Sequence, residues 1–425
     1  MKHYFSDLRE TVETRTLENG LRVCLLPKEG FSKTFAILAT DFGSVDAAFT
    51  FEGARHDTPA GVAHFLEHKM FEDEDGNALQ KFARTGASPN AFTSHTMTAY
   101  HFSCTDRFAE NLEILMKFVY TPYFTEENVR KERGIIAQEI GMMDDTPFWQ
   151  VYTGLLGGLY REHPIRIPIA GSVESIGRIT PETLYTCHRA FYNPKNMALV
   201  VCGAAEMDEI CHIAAQFSPQ NAPEIPSARH YGARGRTAAA AETVREMQVT
   251  PPQFLLGFRD EPLAAGESRL RRRMTSELAL RLLIGDNAPL YVSLYEKRLI
   301  SRDFDTDYAM FPQGAYAMLG GESRDPAAVR AAVLEALARM AREGVDEAMF
   351  RRMKNAVYGL YLRVLDSPDA YARREVEALF AGEHYADFAA LADTISASDI
   401  RTTLARWAQE GRAALSVVRA APQTT

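Results

Sequence analysis

Around Asn19-Gly20, apolar and polar positions alternate through residues 15–25, and both turn residues accept positive φ, so the pattern predicts a β-hairpin. A strand is expected through 35–39. From about 60 to 71 the apolar spacing lengthens to that of a helix. Strand-like composition returns at 96–102. Two helices follow, about 106–119 and 125–143. Thr125 is placed to cap the second, with Glu126 and Glu127 in its first turn, where the helix dipole favours acids.

Residues 125–147 can be laid without gaps on residues 346–368. Both segments open with a capping residue, Thr125 or Asp346, and keep their apolar positions in phase. Both close on Asp-Thr/Ser-Pro. Amphipathic helices resemble one another, so a chance match competes with a true duplication. If duplicated, Glu132 faces Met353 and Glu139 faces Leu360, so only the first copy carries polar chemistry. Residues 218–240 are rich in Pro, Ala, Gly and Arg and lack periodicity, as a linker would. The expected organisation is a first domain at 1–217, a linker at 218–240 and a homologous second domain at 241–425 without a metal site. The expected fold class is α+β, with two homologous domains, each an antiparallel-rich β-sheet with helices packed on one face.

A chain of 425 residues exceeds one ordinary core, which agrees with two domains. Its 46% hydrophobic and 24% charged residues describe a soluble globular protein. The net charge of −9 argues against a nucleic-acid partner; the basic run 269–273 is flanked by Glu267 and Glu277 and reads as a solvated helix. Five cysteines with no Cys-x-x-Cys pair disfavour both a disulfide framework and a cysteine zinc site. Neither an apolar leader nor a run of about 18 apolar residues is seen, so no membrane segment and a reducing cytoplasm are expected. Gly320-Gly321-Glu322 lacks the Lys-Ser/Thr of a phosphate loop.

The chemistry concentrates in His64-Phe65-Leu66-Glu67-His68. Positions four apart share a helix face, so both imidazoles can reach one zinc ion. Glu67 then lies where a general base could take a proton from water. The bland reading is two surface histidines with a salt-bridging glutamate. A catalytic zinc takes a third protein ligand, and the helix from Thr125 offers Glu132 and Glu139 two turns apart on one face. Glu139 sits among Ile135, Ile136, Ala137 and Ile140, where an unpaired carboxylate would be costly and a metal would compensate it. His95 and His101 read as hydrogen-bonded strand residues.

These residues resemble the pitrilysin/insulinase family of inverted-motif zinc peptidases, in a short, processing-peptidase-like form. The resemblance runs through Asn19-Gly20-Leu21-Arg22-Val23, Gly61-Val62-Ala63-His64-Phe65-Leu66-Glu67-His68-Lys69-Met70-Phe71 and Gly86-Ala87-Ser88-Pro89-Asn90-Ala91-Phe92-Thr93. It continues with Glu132 to Ile140, Ile169-Ala170-Gly171-Ser172 and Phe191-Tyr192-Asn193-Pro194-Lys195-Asn196-Met197.

It implies a zinc metalloendopeptidase with His64, His68 and Glu139 as metal ligands, Glu67 as catalytic base and Glu132 supporting a ligand from behind. Asn90, Ala91, Phe92 and Thr93 match the edge strand on which the family lays substrate in extended form. The family also presents an Arg and a Tyr from its second half. Here Tyr295 stands at the Arg position and no Tyr follows in place, leaving Arg298, Arg302 and Tyr308 as weak substitutes. A homodimer, or a heterodimer with a related subunit supplying that pair, is therefore expected, acting on peptides or leader sequences. The rival readings are a catalytically inactive scaffold or partner subunit of the same family, and an unrelated binding module with an accidental motif.

Overall fold

The computed structural model describes residues 1–74, 76–233 and 235–421; residues 75, 234 and 422–425, which fall in the expected first domain, linker and second domain, lie outside it. The Asn-Gly hairpin is present. Glu10–Thr16 pairs antiparallel with Arg22–Pro27, and Gly20 takes φ 93° in the turn. Around this hairpin grows a sheet of seven strands, in the order Lys2–Phe5, Glu10–Thr16, Arg22–Pro27, Met197–Gly203, Thr34–Thr40, Thr98–Cys104 and Ser88–Thr93. Every neighbour is antiparallel except Arg22–Pro27 beside Met197–Gly203. All residues of Thr34–Thr40 and Met197–Gly203 are buried, so the centre of the sheet forms the core. Ser88–Thr93 lies at one edge, hydrogen-bonded only to Thr98–Cys104 among the described strands.

A second sheet repeats five of these strands in the same arrangement. Its order is Glu242–Glu246, Ala413–Arg419, Gln253–Asp260, Gly314–Glu322 and Asp305–Phe311. The first pair is parallel and the rest are antiparallel, as in the run from Arg22–Pro27 to Ser88–Thr93. The helical repeat is equally clear. Glu126–Asp144 and Glu347–Leu365 each span 19 residues, and each is followed by a 13-residue helix opening on proline, Pro147–Leu159 and Pro368–Phe380. The fold is α+β with two homologous domains.

The domains are not contiguous in sequence. One compact unit comprises Met1–Ile140, Pro168–Tyr231 and Leu362–Ala386; the other comprises Gly141–Ile167, Gly232–Tyr361 and Asp387–Thr425. The boundaries expected at 217 and 241 therefore need correction, because each half lends a helix to the other unit. Pro147–Leu159 packs on the second sheet, where Gly257 makes room: a Cβ there would lie 2.8 Å from Leu155. Pro368–Phe380 packs on the first sheet, where Arg22 Nη1 donates to the Leu379 carbonyl at 2.6 Å and the buried Glu375 accepts from Tyr385 N at 2.8 Å. The expected linker is likewise part of the fold. Ala228–Arg229 pairs with Ala48–Phe51, and Arg229 Nη1 and the Tyr231 hydroxyl bond the buried Asp46 carboxylate at 3.2 and 2.8 Å.

Candidate metal centre

Residues Val62–Met70 form the helix that carries both histidines. Its apolar stripe, Val62, Phe65, Leu66 and Met70, is buried and leaves His64 and His68 on the remaining face. The helix starts from Gly61 at φ 91°, which also fixes its position. A Cβ on Gly61 would lie 2.4 Å from the Ala170 carbonyl oxygen, and one on Gly171 would lie 2.4 Å from that of Ala60. Two backbone segments thus touch where only glycine fits.

The Glu126–Asp144 helix is capped by a reciprocal pair: Asn128 N donates to Thr125 Oγ1 at 3.1 Å, and Thr125 N donates to Asn128 Oδ1 at 2.9 Å. Val129, Ile136 and Ile140 are buried along one stripe. Glu132 lies deep, at 5% exposure, whereas Glu139 is partly open. Ile135, which the sequence placed beside a buried boundary, is 46% exposed.

These two helices bring His64, His68 and Glu139 together. His64 Nε2 lies 3.6 Å from Glu139 Oε1, and His68 Nε2 lies 3.6 Å from Glu139 Oε2. Among the described residues they are the one His/Cys/Asp/Glu triplet whose donor atoms all lie within 4.8 Å of one another. A zinc ion with N and O donors at about 2.0–2.2 Å in tetrahedral geometry would hold them roughly 3.3–3.6 Å apart, so the residues fit the ion. Two imidazoles and one carboxylate are also a donor set of catalytic rather than structural zinc. The imidazoles, His64 foremost, hold the Glu139 carboxyl below the usual range.

The neighbours of the triplet are arranged differently. Glu132 Oε1 lies 3.0 Å from His68 Nδ1, so that bond assigns the proton to Nδ1 and leaves Nε2 toward Glu139. His64 Nδ1 is buried and has no hydrogen-bond partner among the described residues. Glu67 is buried, and its Oε2 accepts a 2.6 Å hydrogen bond from Thr93 Oγ1. Burial pushes the Glu67 carboxyl up, against the lowering effect of the Thr93 bond.

Thr93 ends the edge strand, so that strand and the glutamate are in direct contact. Of the other residues singled out on it, Asn90 is exposed while Ala91 and Phe92 are half-buried. The Arg373 guanidinium lies 4.8 Å from the Phe92 ring centroid and donates to His101 Nε2 at 2.7 Å. Burial first, then Arg373, pushes His101 down to about 4. His95 bonds Ser44 Oγ at 3.0 Å. His101 is a strand residue, as expected, whereas His95 lies in the turn that joins Ser88–Thr93 to Thr98–Cys104, because the two strands pair as a hairpin there. Tyr308 is buried and its hydroxyl donates to Asp260 Oδ2 at 2.9 Å, which commits it to its own core.

Sequence reasoning missed Lys69. It continues the buried stripe of Val62 and Leu66 at helical spacing, and a charge at a core position was the available signal.

Residues 48–172 match the family model described as Insulinase (Peptidase family M16), and residues 178–357 match that of the Peptidase M16 inactive domain. The chain is 36% identical over 405 residues to YmfH, an uncharacterised zinc protease of Bacillus subtilis (strain 168), covering 94% of each. It is 27% identical over 371 residues to ML0855, an uncharacterised zinc protease of Mycobacterium leprae (strain TN), covering 84% of this chain and 80% of that one. A putative M16-like peptidase from Alicyclobacillus acidocaldarius superposes with a TM-score of 0.93 at 34% identity, over 97% of this chain and 99% of its own.

Proposed function

The chain belongs to the insulinase family of peptidases, M16, and from that premise we propose that it is a zinc-dependent endopeptidase acting on peptides or leader sequences bound in extended form. The observation that carries the reading is the convergence of His64, His68 and Glu139, with Glu67 beside them in contact with the edge strand. Relatives named as zinc proteases support the metal. A zinc ion held by the triplet would supply a Lewis acid that polarises a scissile carbonyl and acidifies water.

The chain's own groups supply the rest. Glu67 removes a proton from the attacking water and returns one to the leaving amine; its burial makes it a better base. Thr93 occupies one carboxylate oxygen and so orients the other. Glu132 holds the His68 ring. Among the described strands Ser88–Thr93 has a neighbour on one side only, so an extended peptide can add along its outer side as a further strand with loose side-chain demands.

With Tyr308 committed to Asp260 and Tyr295 in place of an arginine, a second copy or a related subunit is proposed to supply the Arg and Tyr that help hold substrate. A cytoplasmic site of action is proposed with it. Among the described residues no helix is long and apolar enough to cross a membrane.

The test is Glu67→Gln in the full chain. It should retain zinc and lose cleavage of unstructured peptides, followed by mass spectrometry. Retained cleavage would remove Glu67 from its role. Wild-type protein that binds zinc yet cleaves nothing, alone or with its partner, would leave the inactive-scaffold reading standing.

A further inference from the structure

We propose that Lys69 is a positioning residue for the metal centre, fixing the orientation of His68 through Glu132; this rests on the zinc-peptidase reading above. Lys69 directly follows His68 and is 0% exposed. A lysine so completely enclosed is rare, and enclosing it is costly unless its charge is paired.

Its ammonium hydrogen-bonds Glu72 Oε2 and lies 3.8 Å from Glu132 Oε2. The other oxygen of Glu132, Oε1, is the atom 3.0 Å from His68 Nδ1. One carboxylate is thus held from both sides, by an imidazole at one oxygen and a cation near the other. The last torsion of a glutamate is broad and roughly two-fold, so a carboxylate tied at a single oxygen can swing. A cation at the second oxygen fixes its plane. Burial strengthens that attraction relative to an exposed pair. His68 Nε2, 3.6 Å from Glu139 Oε2, is the atom whose direction is being set. His64 has no comparable partner behind it, so the precision of the pair depends on the His68 side.

The competing role for Lys69 is purely structural, holding Glu72 at the start of the Glu72–Asp73 and Gly76–Asn77 pairing. The two roles separate in one experiment on the full-length protein. The zinc dissociation constant is measured by chelator competition, and the visible spectrum of the cobalt-substituted protein is recorded. The variants are Lys69→Met, Glu72→Gln, the double variant K69M/E72Q, Glu132→Gln and K69M/E132Q.

The expected result is weaker zinc binding by about 10–100-fold in K69M and in K69M/E72Q, with an altered cobalt spectrum, and wild-type behaviour in E72Q. K69M/E132Q should be no weaker than E132Q alone. The K69M/E72Q variant removes the lysine together with its nearest carboxylate, and so keeps the result readable if K69M alone fails to fold. Wild-type zinc affinity in K69M/E72Q, or losses that multiply in K69M/E132Q, would overturn the proposal. Wild-type protein that binds no zinc would instead overturn the zinc reading itself.

Discussion

Thr93 and Glu67, 26 residues apart in the chain, are joined by a 2.6 Å hydrogen bond from hydroxyl to carboxylate. The bond couples the last residue of the edge strand to the proposed base. Thr93→Val keeps the shape and removes the donor. Turnover should fall about tenfold or more while zinc content stays unchanged, and Thr93→Ser should recover most of the loss. Peptide-cleavage rates with metal analysis on the same samples check this.

Glu139 and Glu132 should respond differently to the same change. Glu139→Gln removes a direct donor, so the protein should emerge from dialysis against a mild chelator without zinc. Glu132→Gln leaves all three donors and loosens one ring, which should weaken binding by about 10–100-fold. Equal zinc affinity in the two variants would contradict the assignment of Glu139 as ligand and Glu132 as support.

The start of the histidine helix should be intolerant of any side chain. Gly61→Ala and Gly171→Ala each place a Cβ 2.4 Å from a backbone oxygen at a residue with positive φ. Each should cost at least about 2 kcal/mol, read as a lower denaturant midpoint. Gly86→Ala, whose added Cβ meets nothing within 4 Å, should pay only the strain of its positive φ and shift the midpoint less.

Acid should weaken the fold in part through His188. It is buried, its Nε2 bonds the Val119 carbonyl at 2.9 Å, and burial pushes it down to about 4. The folded state therefore favours the neutral ring, while the unfolded chain protonates near the ordinary 6.5. Stability from this group is complete above pH 6.5 and is lost as the pH falls toward 4, by on the order of 3 kcal/mol in all. His188→Gln can still donate to Val119 and does not titrate. Its midpoint in metal-free protein should drop less between pH 7.5 and 5 than that of the wild type.

What could be read from the sequence depended on whether a local period carried the information. The spacing of His64, Glu67 and His68 placed them on one helix, and that of Glu132 and Glu139 put them on one face of another, because helical geometry is fixed by the backbone. The resemblance supplied the meeting of the two helices. The edge position of Ser88–Thr93 came the same way. Lys69 stood at a core position of its helix, but the role of that charge depends on Glu132 of the other helix, which a helical wheel does not show.

The stretch 218–240 looked like a tether by composition, yet Arg229 and Tyr231 find Asp46 about 180 residues earlier in the chain. Domain boundaries failed for a related reason. The apolar faces of Pro147–Leu159 and Pro368–Phe380 are legible, but nothing local says which sheet each will cover. The matching Asp-Thr-Pro and Asp-Ser-Pro segments marked the crossing points without revealing that they were crossings.

That reciprocal loan of helices makes the two halves mutually dependent for their folding. Severed within 232–240, neither fragment contains every wall of its own core. The first would leave the sheet surface around Arg22 and Cys24 bare, and the second would lack the cover over Gly257. Such fragments should be recovered together or not at all.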